Sequence, residues 1–171
     1  IFPNAYYQRC LTGNFERVYA PIPPEDIKGE VRSKLVTTHG YLPWFTHKPF
    51  DFLTNVKPVS DRDGICWITG TRIIYPEHQQ RWDFAHKIED VVDLHMYKGQ
   101  VGCKYDVMKN YLFAYCPENY KGSDHWTEKI ADAYLSWCIP VYWGCTNLED
   151  FFPRESYIEI DYGMSGEDVK Q

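Results

Sequence analysis

From about residue 61 onward the chain alternates short apolar runs with amphipathic stretches, and glycines punctuate the boundaries. Ile65-Cys66-Trp67-Ile68-Thr69-Gly70 follows the turn signal Asp63-Gly64. Its shortness and its glycine borders predict a buried strand. Residues 76–91 then carry Trp82, Ala85 and Ile88 at three-residue spacings, which predicts a helix with one buried face. Residues 92–97 alternate like a strand that Gly99 and Gly102 end, and residues 104–110 suggest a helical turn.

The clearest unit comes next. Residues 111–116 are a strand, 117–123 a polar loop, and 124–137 a helix with Trp126, Ile130, Ala133, Tyr134 and Trp137 on one face. Glu128, Lys129 and Asp132 fall off that face. Ser123 or Asp124 stands where a helix cap belongs, and Glu128 sits near the positive end of the helix dipole. Residues 139–143 form a second strand, with Pro140 tolerated near its start and Gly144 closing it. A strand–helix–strand crossover of this length predicts parallel pairing with a right-handed connection. Residues 156–161 add another strand. The fold class is therefore α/β with a Rossmann-like, mainly parallel sheet. Ligands of such sheets bind outside the carboxyl ends of the strands, which points to the loops 117–125 and 144–150.

Residues 1–60 read differently. Prolines at 21, 23, 24, 43, 49 and 58 break them into short pieces, with a helix suggested near 24–34 and a strand at 34–38. They read as an irregular remnant of a preceding domain or an interdomain segment. The full length of 171 residues suits one domain, or one domain and part of another, and 44% hydrophobic residues suffice for a core. Aromatics at 17% suit sugar or base stacking as well as ordinary packing.

A net charge of −6 without any strongly basic stretch argues against nucleic acid as a partner. No apolar run reaches 18 residues, so the chain holds no membrane span. It begins at Ile1 without a signal-peptide pattern and reads as a fragment. Six cysteines lack any CxxC pair or zinc spacing, so no metal site is expected. Cys66 and Cys138 lie in apolar runs and read as buried small hydrophobes, and the even count permits disulfides without indicating them.

The chemistry-bearing residues cluster after residue 117. Glu118, Asn119, Lys121, Ser123, Asp124 and His125 precede the helix, whose first turns carry Thr127, Glu128 and Lys129. A helix start offers backbone N–H groups and partial positive charge, and Lys129 adds a full one, so a diphosphate can bind there. Glu128 can accept hydrogen bonds from sugar or ribose hydroxyls. On pattern alone, a solvated Glu-Lys pair on an ordinary helix is the commoner reading.

Pro117-Glu118-Asn119, then Trp126-Thr127-Glu128-Lys129-Ile130-Ala131-Asp132-Ala133-Tyr134, then Ile139-Pro140-Val141-Tyr142-Trp143-Gly144, then Phe152-Pro153-Arg154-Glu155-Ser156-Tyr157-Ile158 resembles the α1,3/4-fucosyltransferases of glycosyltransferase family 10. That family shows aromatic-Glu-Asn-Ser, Val-Thr-Glu-Lys, Pro-Val-Tyr-Trp-Gly and Pro-x-Ser-Phe-Ile in this order. The sequence departs at Pro117, at Tyr120 and at His125-Trp126, where the family usually has an aromatic, a serine and aromatic-Val. A weaker resemblance covers Gln79-Gln80-Arg81-Trp82-Asp83-Phe84 and Asp93-Leu94-His95-Met96-Tyr97-Lys98-Gly99.

The resemblance implies a two-lobed GT-B glycosyltransferase, with residues 61–171 as its C-terminal, nucleotide-sugar-binding lobe, incomplete at the C-terminus. It implies inverting transfer of fucose from GDP-fucose to a hydroxyl of an acceptor glycan, with no cofactor required beyond that donor substrate. By the same resemblance, Asn119 meets the ribose–diphosphate region, Glu128 holds donor hydroxyls beside the reacting sugar, and Lys129 and Arg81 neutralise the diphosphate. His125 stands where a phenol often meets the diphosphate. The catalytic base of the family is a carboxylate of the N-terminal lobe. None of Glu16, Glu25, Glu30 and Asp51 has a matching context. Cytoplasmic, peripheral and Golgi-luminal members all exist.

Two other readings stand beside this one. Asp61-Arg62-Asp63 spells the Asp-x-Asp of metal-dependent transferases, although a polar turn explains it as well. A nucleotide-sugar-binding module without turnover is the second, since a fold can keep its site and lose its chemistry.

Overall fold

The computed structural model describes residues 17–20, 35–37, 44–99 and 101–170. Its centre is a five-stranded sheet in the order β4-β3-β5-β6-β7, every neighbouring pair parallel. The strands are β3 (Asp63–Thr69), β4 (Leu94–Lys98), β5 (Tyr111–Gly122), β6 (Ile139–Cys145) and β7 (Ile158–Glu159). A separate parallel pair joins β1 (Val18–Ala20) to β2 (Leu35–Thr37), where the sequence suggested a strand at 34–38. The helix suggested near 24–34 lies outside the described residues.

Alternating side chains divide the core into two layers. Ile65 and Trp67 of β3, Tyr115 of β5, and Val141 and Trp143 of β6 point to one face. Cys66, Ala114, Cys116 and Tyr142 point to the other. Helix α2 (Pro76–Ile88) covers the first face with Trp82, Phe84, Ala85 and Ile88, and helix α4 (Glu128–Leu135) covers the second with Ile130 and Ala133. The strand order explains why the helices take opposite faces. The chain leaves β3 for β4 on one side and later leaves β5 for β6 in the opposite direction. Right-handed crossovers then place the two helices on opposite faces. Sheets covered on both faces need apolar strands throughout, which is what the short apolar runs are.

Three local features differ from expectation. First, β5 continues to Gly122 instead of ending at Cys116. Its regular register with β6 stops at Pro117↔Trp143 and resumes at Gly122↔Cys145, so residues 118–121 bulge from the ladder. Second, the helix begins at Glu128, not near 124, and neither Ser123 nor Asp124 caps it. Asp124 takes φ 57, with its N–H on Asn147 Oδ1 at 2.8 Å and its carboxylate accepting from Asn147 Nδ2 at 3.0 Å. That bridge pins a turn where the pattern placed the first helical turn. Third, Trp137 follows the helix at φ 63 and is 48% exposed rather than buried on the helical face.

Before residue 61, the described residues 44–60 hold some regular structure. Helix α1 (Phe50–Asn55) forms there, and residues 44–48 pack on α3 (Lys104–Met108). Tyr105 N–H donates to the carbonyl of Thr46, which is fully buried, and Phe52 meets the Tyr105 ring edge-on. Asp132, off the apolar stripe in sequence, is buried because this segment covers it. It accepts from Phe45 N–H at 2.5 Å and from Lys104 Nζ at 2.8 Å.

Ile130 is fully buried between α4 and the sheet. Ile130→Ala is expected to lower the unfolding free energy by about 2–5 kcal/mol, read from urea denaturation. An unchanged midpoint would show that α4 is not seated on this face.

Candidate donor-nucleotide site

The β3–β5 boundary is where the strand order reverses direction, so the connections leave it on opposite sides and open a crevice at the carboxyl ends. A cavity of about 530 Å³ lies there, in the size range of small-molecule sites. Thr69 to Arg72 form its β3 edge, His78 and Arg81 reach in from α2, and Asn119 comes from the β5 bulge. Glu128, Lys129 and Asp132 come from α4 and Lys104 from α3. Four of the five predicted donor contacts, Arg81, Asn119, Glu128 and Lys129, thus share one cleft. His125 does not line it. It is half-buried, edge-on to Tyr120 at 5.6 Å, and burial holds its imidazole below the usual histidine pKa.

Glu118 organises the cationic end. It is completely buried, yet accepts Thr127 N–H at 2.8 Å, the Thr127 hydroxyl at 2.8–2.9 Å and Lys129 Nζ at 2.8 Å. Lys129 also donates to Thr127 Oγ1 at 2.7 Å. These bonds take two of the ammonium's three donors and leave one for a ligand. Burial opposes the Lys129 charge, but Glu118 and Glu128 more than offset it and raise its pKa above the usual lysine value. The Thr127 hydroxyl, engaged with Glu118, gives α4 no side-chain cap.

Opposite Lys129, Arg81 is 7% exposed and donates from Nη1 to Asn119 Oδ1 at 2.5 Å. Burial lowers its pKa, and its Nε has no hydrogen-bond partner among the described residues. At the other end Lys104 pairs with Asp132 at 2.8 Å and lies 3.8 Å from Glu128. Burial works against the Glu128 charge, but Lys129 and Lys104 together hold its carboxyl below its usual value. Four cations, Arg72, Arg81, Lys104 and Lys129, line the cleft against two carboxylates, Glu128 and Asp132. The arrangement favours a dianion such as a diphosphate over a neutral ligand.

Sequence reasoning missed the β3 edge, His78, Lys104 and Asp132. It also named the loop 144–150, which does not line this cleft. Thr69-Gly70-Thr71-Arg72 was detectable in principle, because it follows a strand on its carboxyl side. Asp61 and Asp63 stand at the amino end of β3, the end opposite the cleft, with Asp61 in a turn at φ 55. That position removes the metal-dependent Asp-x-Asp reading for this site. Among the described residues no group of three or more His, Cys, Asp or Glu is placed to hold a metal ion, all five described cysteines are free, and no helix is long and apolar enough to cross a membrane.

Comparison with known proteins agrees with this architecture. The family model for the C-terminal part of glycosyltransferase family 10 (fucosyltransferase) matches residues 61–170. An alpha-(1,3)-fucosyltransferase FucT of Helicobacter pylori is 39% identical over 57 residues, 33% of this chain and 12% of that protein. The human 4-galactosyl-N-acetylglucosaminide 3-alpha-L-fucosyltransferase 9 is 29% identical over 138 residues, 71% of this chain and 37% of that protein. Crystal structures of an alpha1,3-fucosyltransferase with GDP and with GDP-fucose superpose with TM-scores of 0.56 and 0.55 at 23% identity, over 64% of this chain and 34% of those chains. At that identity the likeness shows the fold, an α/β lobe of GT-B type. The chain therefore spans little more than a third, at most, of the length of these relatives.

Two outcomes follow from the site's electrostatics and packing. Glu128, with its pKa below the ordinary 4.5, contributes stability that is in place above that pH and drains as pH falls through its folded value. Asp132 works in the opposite sense, since burial raises its pKa despite Lys104. Glu128→Gln is expected to flatten the acid limb of stability as pH falls below about 4.5. An identical limb in the variant would show no net attraction at Glu128. Gly144 sits at φ 145, and a Cβ there would lie 2.5 Å from Glu118 Cβ. Gly144→Ala is expected to cost about 1–3 kcal/mol by urea denaturation, and full stability would contradict the close approach.

Proposed function

The chain belongs to glycosyltransferase family 10, the fucosyltransferases, and on that footing we propose that it is the donor-binding part of a fucosyltransferase. It takes up GDP-fucose in the cleft between β3 and β5. The family's transfer would move fucose to a hydroxyl of an acceptor glycan with inversion at the anomeric carbon. The observation that supports this reading is the convergence of Arg81, Asn119, Glu128 and Lys129 on one cleft, drawn from three different elements.

The chemistry follows from where charge develops. As the bond from sugar to diphosphate breaks, the sugar gains oxocarbenium character and the diphosphate gains negative charge. Lys129, held by Glu118, and Arg81, held by Asn119, are fixed before the donor arrives. Preorganised cations favour that developing charge without reorganising during the reaction. Glu128 is ionised and accepts hydroxyl hydrogen bonds from the donor, close enough to the sugar to stabilise positive charge. Two fixed cations make a metal cofactor unnecessary.

Both carboxylates of the cleft are tied to lysines, so neither serves as the base that deprotonates the acceptor. That observation favours a second reading for the chain by itself: it binds donor without turning it over, and the base comes from elsewhere in the protein.

GDP or GDP-fucose at 100 times its dissociation constant is expected to add about 2.7 kcal/mol of stability, seen as a rise in Tm. Lys129→Ala is expected to abolish most of that rise. A Tm that GDP leaves unmoved would remove the donor site, and a full rise in the variant would remove Lys129 from it.

A further inference from the structure

We propose that His78 is a further donor-binding residue, its neutral imidazole giving the Nε2–H to a diphosphate oxygen between Arg81 and Lys129. This deepens the proposed donor site and rests on it. His78 is the third residue of α2, one helical turn before Arg81, and it lines the same cleft.

The hydrogen bonding fixes its tautomer. Ile74 N–H donates to Nδ1 at 3.2 Å, so Nδ1 is an acceptor and the ring proton sits on Nε2. That Nε2 is buried with no acceptor in hydrogen-bond geometry among the described residues, although the Arg72 carbonyl lies close enough to the ring to favour its protonation, and the residue as a whole is 6% exposed. Buried N–H groups nearly always have an acceptor, and one without is explained when the acceptor arrives with a ligand. The ring is also held in place, packed edge-on against Tyr75 at 5.4 Å.

Its surroundings keep it uncharged. Burial lowers the His78 pKa and the Arg81 charge lowers it further; the Arg72 carbonyl and Glu77 oppose them, Lys129 adds a smaller push down, and the net direction is downward. A neutral donor is what this position needs. The cleft already holds four cations, and a neutral N–H adds direction to phosphate binding without adding repulsion to the free protein. Arg81 and Lys129 supply charge, and His78 supplies orientation.

Two substitutions separate the two ring nitrogens. In His78→Asn the side-chain oxygen replaces Nδ1 as acceptor for Ile74 N–H but no donor reaches the Nε2 position. In His78→Gln the amide nitrogen reaches the Nε2 position. Calorimetry with GDP and with guanosine is the readout. The expected result is a loss of GDP affinity on the order of tenfold for His78→Asn, unchanged guanosine affinity, and near-complete retention in His78→Gln. The wild-type chain provides a second measurement that needs no variant. In ¹⁵N-resolved spectra the His78 Nε2–H signal is expected to shift on GDP addition and to stay put with guanosine. An equal loss for GDP and guanosine, or an unmoved Nε2–H signal, would overturn the proposal. If His78→Asn binds GDP like wild type while Lys129→Ala does not, His78 is excluded and the donor site stands. A wild-type chain that takes up no GDP removes the site, and this inference with it.

Discussion

The ion pair between Glu118 and Lys129 is the interaction on which the site depends. A carboxylate with no solvent exposure is costly to hold ionised, by several kcal/mol before any partner is counted. Glu118 offsets that cost with two bonds from Thr127 and one from Lys129. The consequence reaches outward. The start of α4 is tied to the β5 bulge, and the lysine has one orientation, with its remaining donor available to the cleft. Gly144 belongs to the same arrangement, because no side chain fits between it and Glu118. Removing one partner would strand a buried charge, so the cluster stands or falls as a unit.

Topology supplies the rest. A sheet ordered β4-β3-β5-β6-β7 has its reversal between β3 and β5, and the two central strands part at their carboxyl ends. The opposing cations come from opposite faces. Arg81 rides on α2, which covers one face, and Lys129 on α4, which covers the other. They meet only because both helices begin beside the same crevice. Lys104 and Asp132 complete the floor and connect it to residues 44–48 through Phe45 N–H and Tyr105. The cleft and residues 44–48, which precede the α/β domain, are therefore mechanically joined.

Much of this was legible in the sequence. The strands β3, β5 and β6 announced themselves as apolar runs, and Trp82, Ala85 and Ile88 marked the buried face of α2 by spacing alone. Glu128 and Lys129 stood out by position and by resemblance. What stayed hidden depends on tertiary order. Strand order is not written in local pattern, so the loop 117–125, which supplies Asn119, was paired with 144–150 instead of with the β3 edge. Asp132 looked solvated because nothing in its own helix reveals that Phe45 and Lys104 cover it. The early helix start at 124 failed for a similar reason, since the Asn147 bridge that holds Asp124 comes from 23 residues away. His78 gave no signal at all, because its meaning lies in which ring nitrogen Ile74 occupies.

A crystal structure of the chain with GDP tests the central claim most directly. The account predicts the diphosphate lying between Lys129 and Arg81, with phosphate oxygens in hydrogen-bond range of both and the Glu118–Lys129 pair intact behind them. GDP bound with its phosphates away from the β3–β5 crevice, or Lys129 turned out of the cleft to reach them, would contradict it.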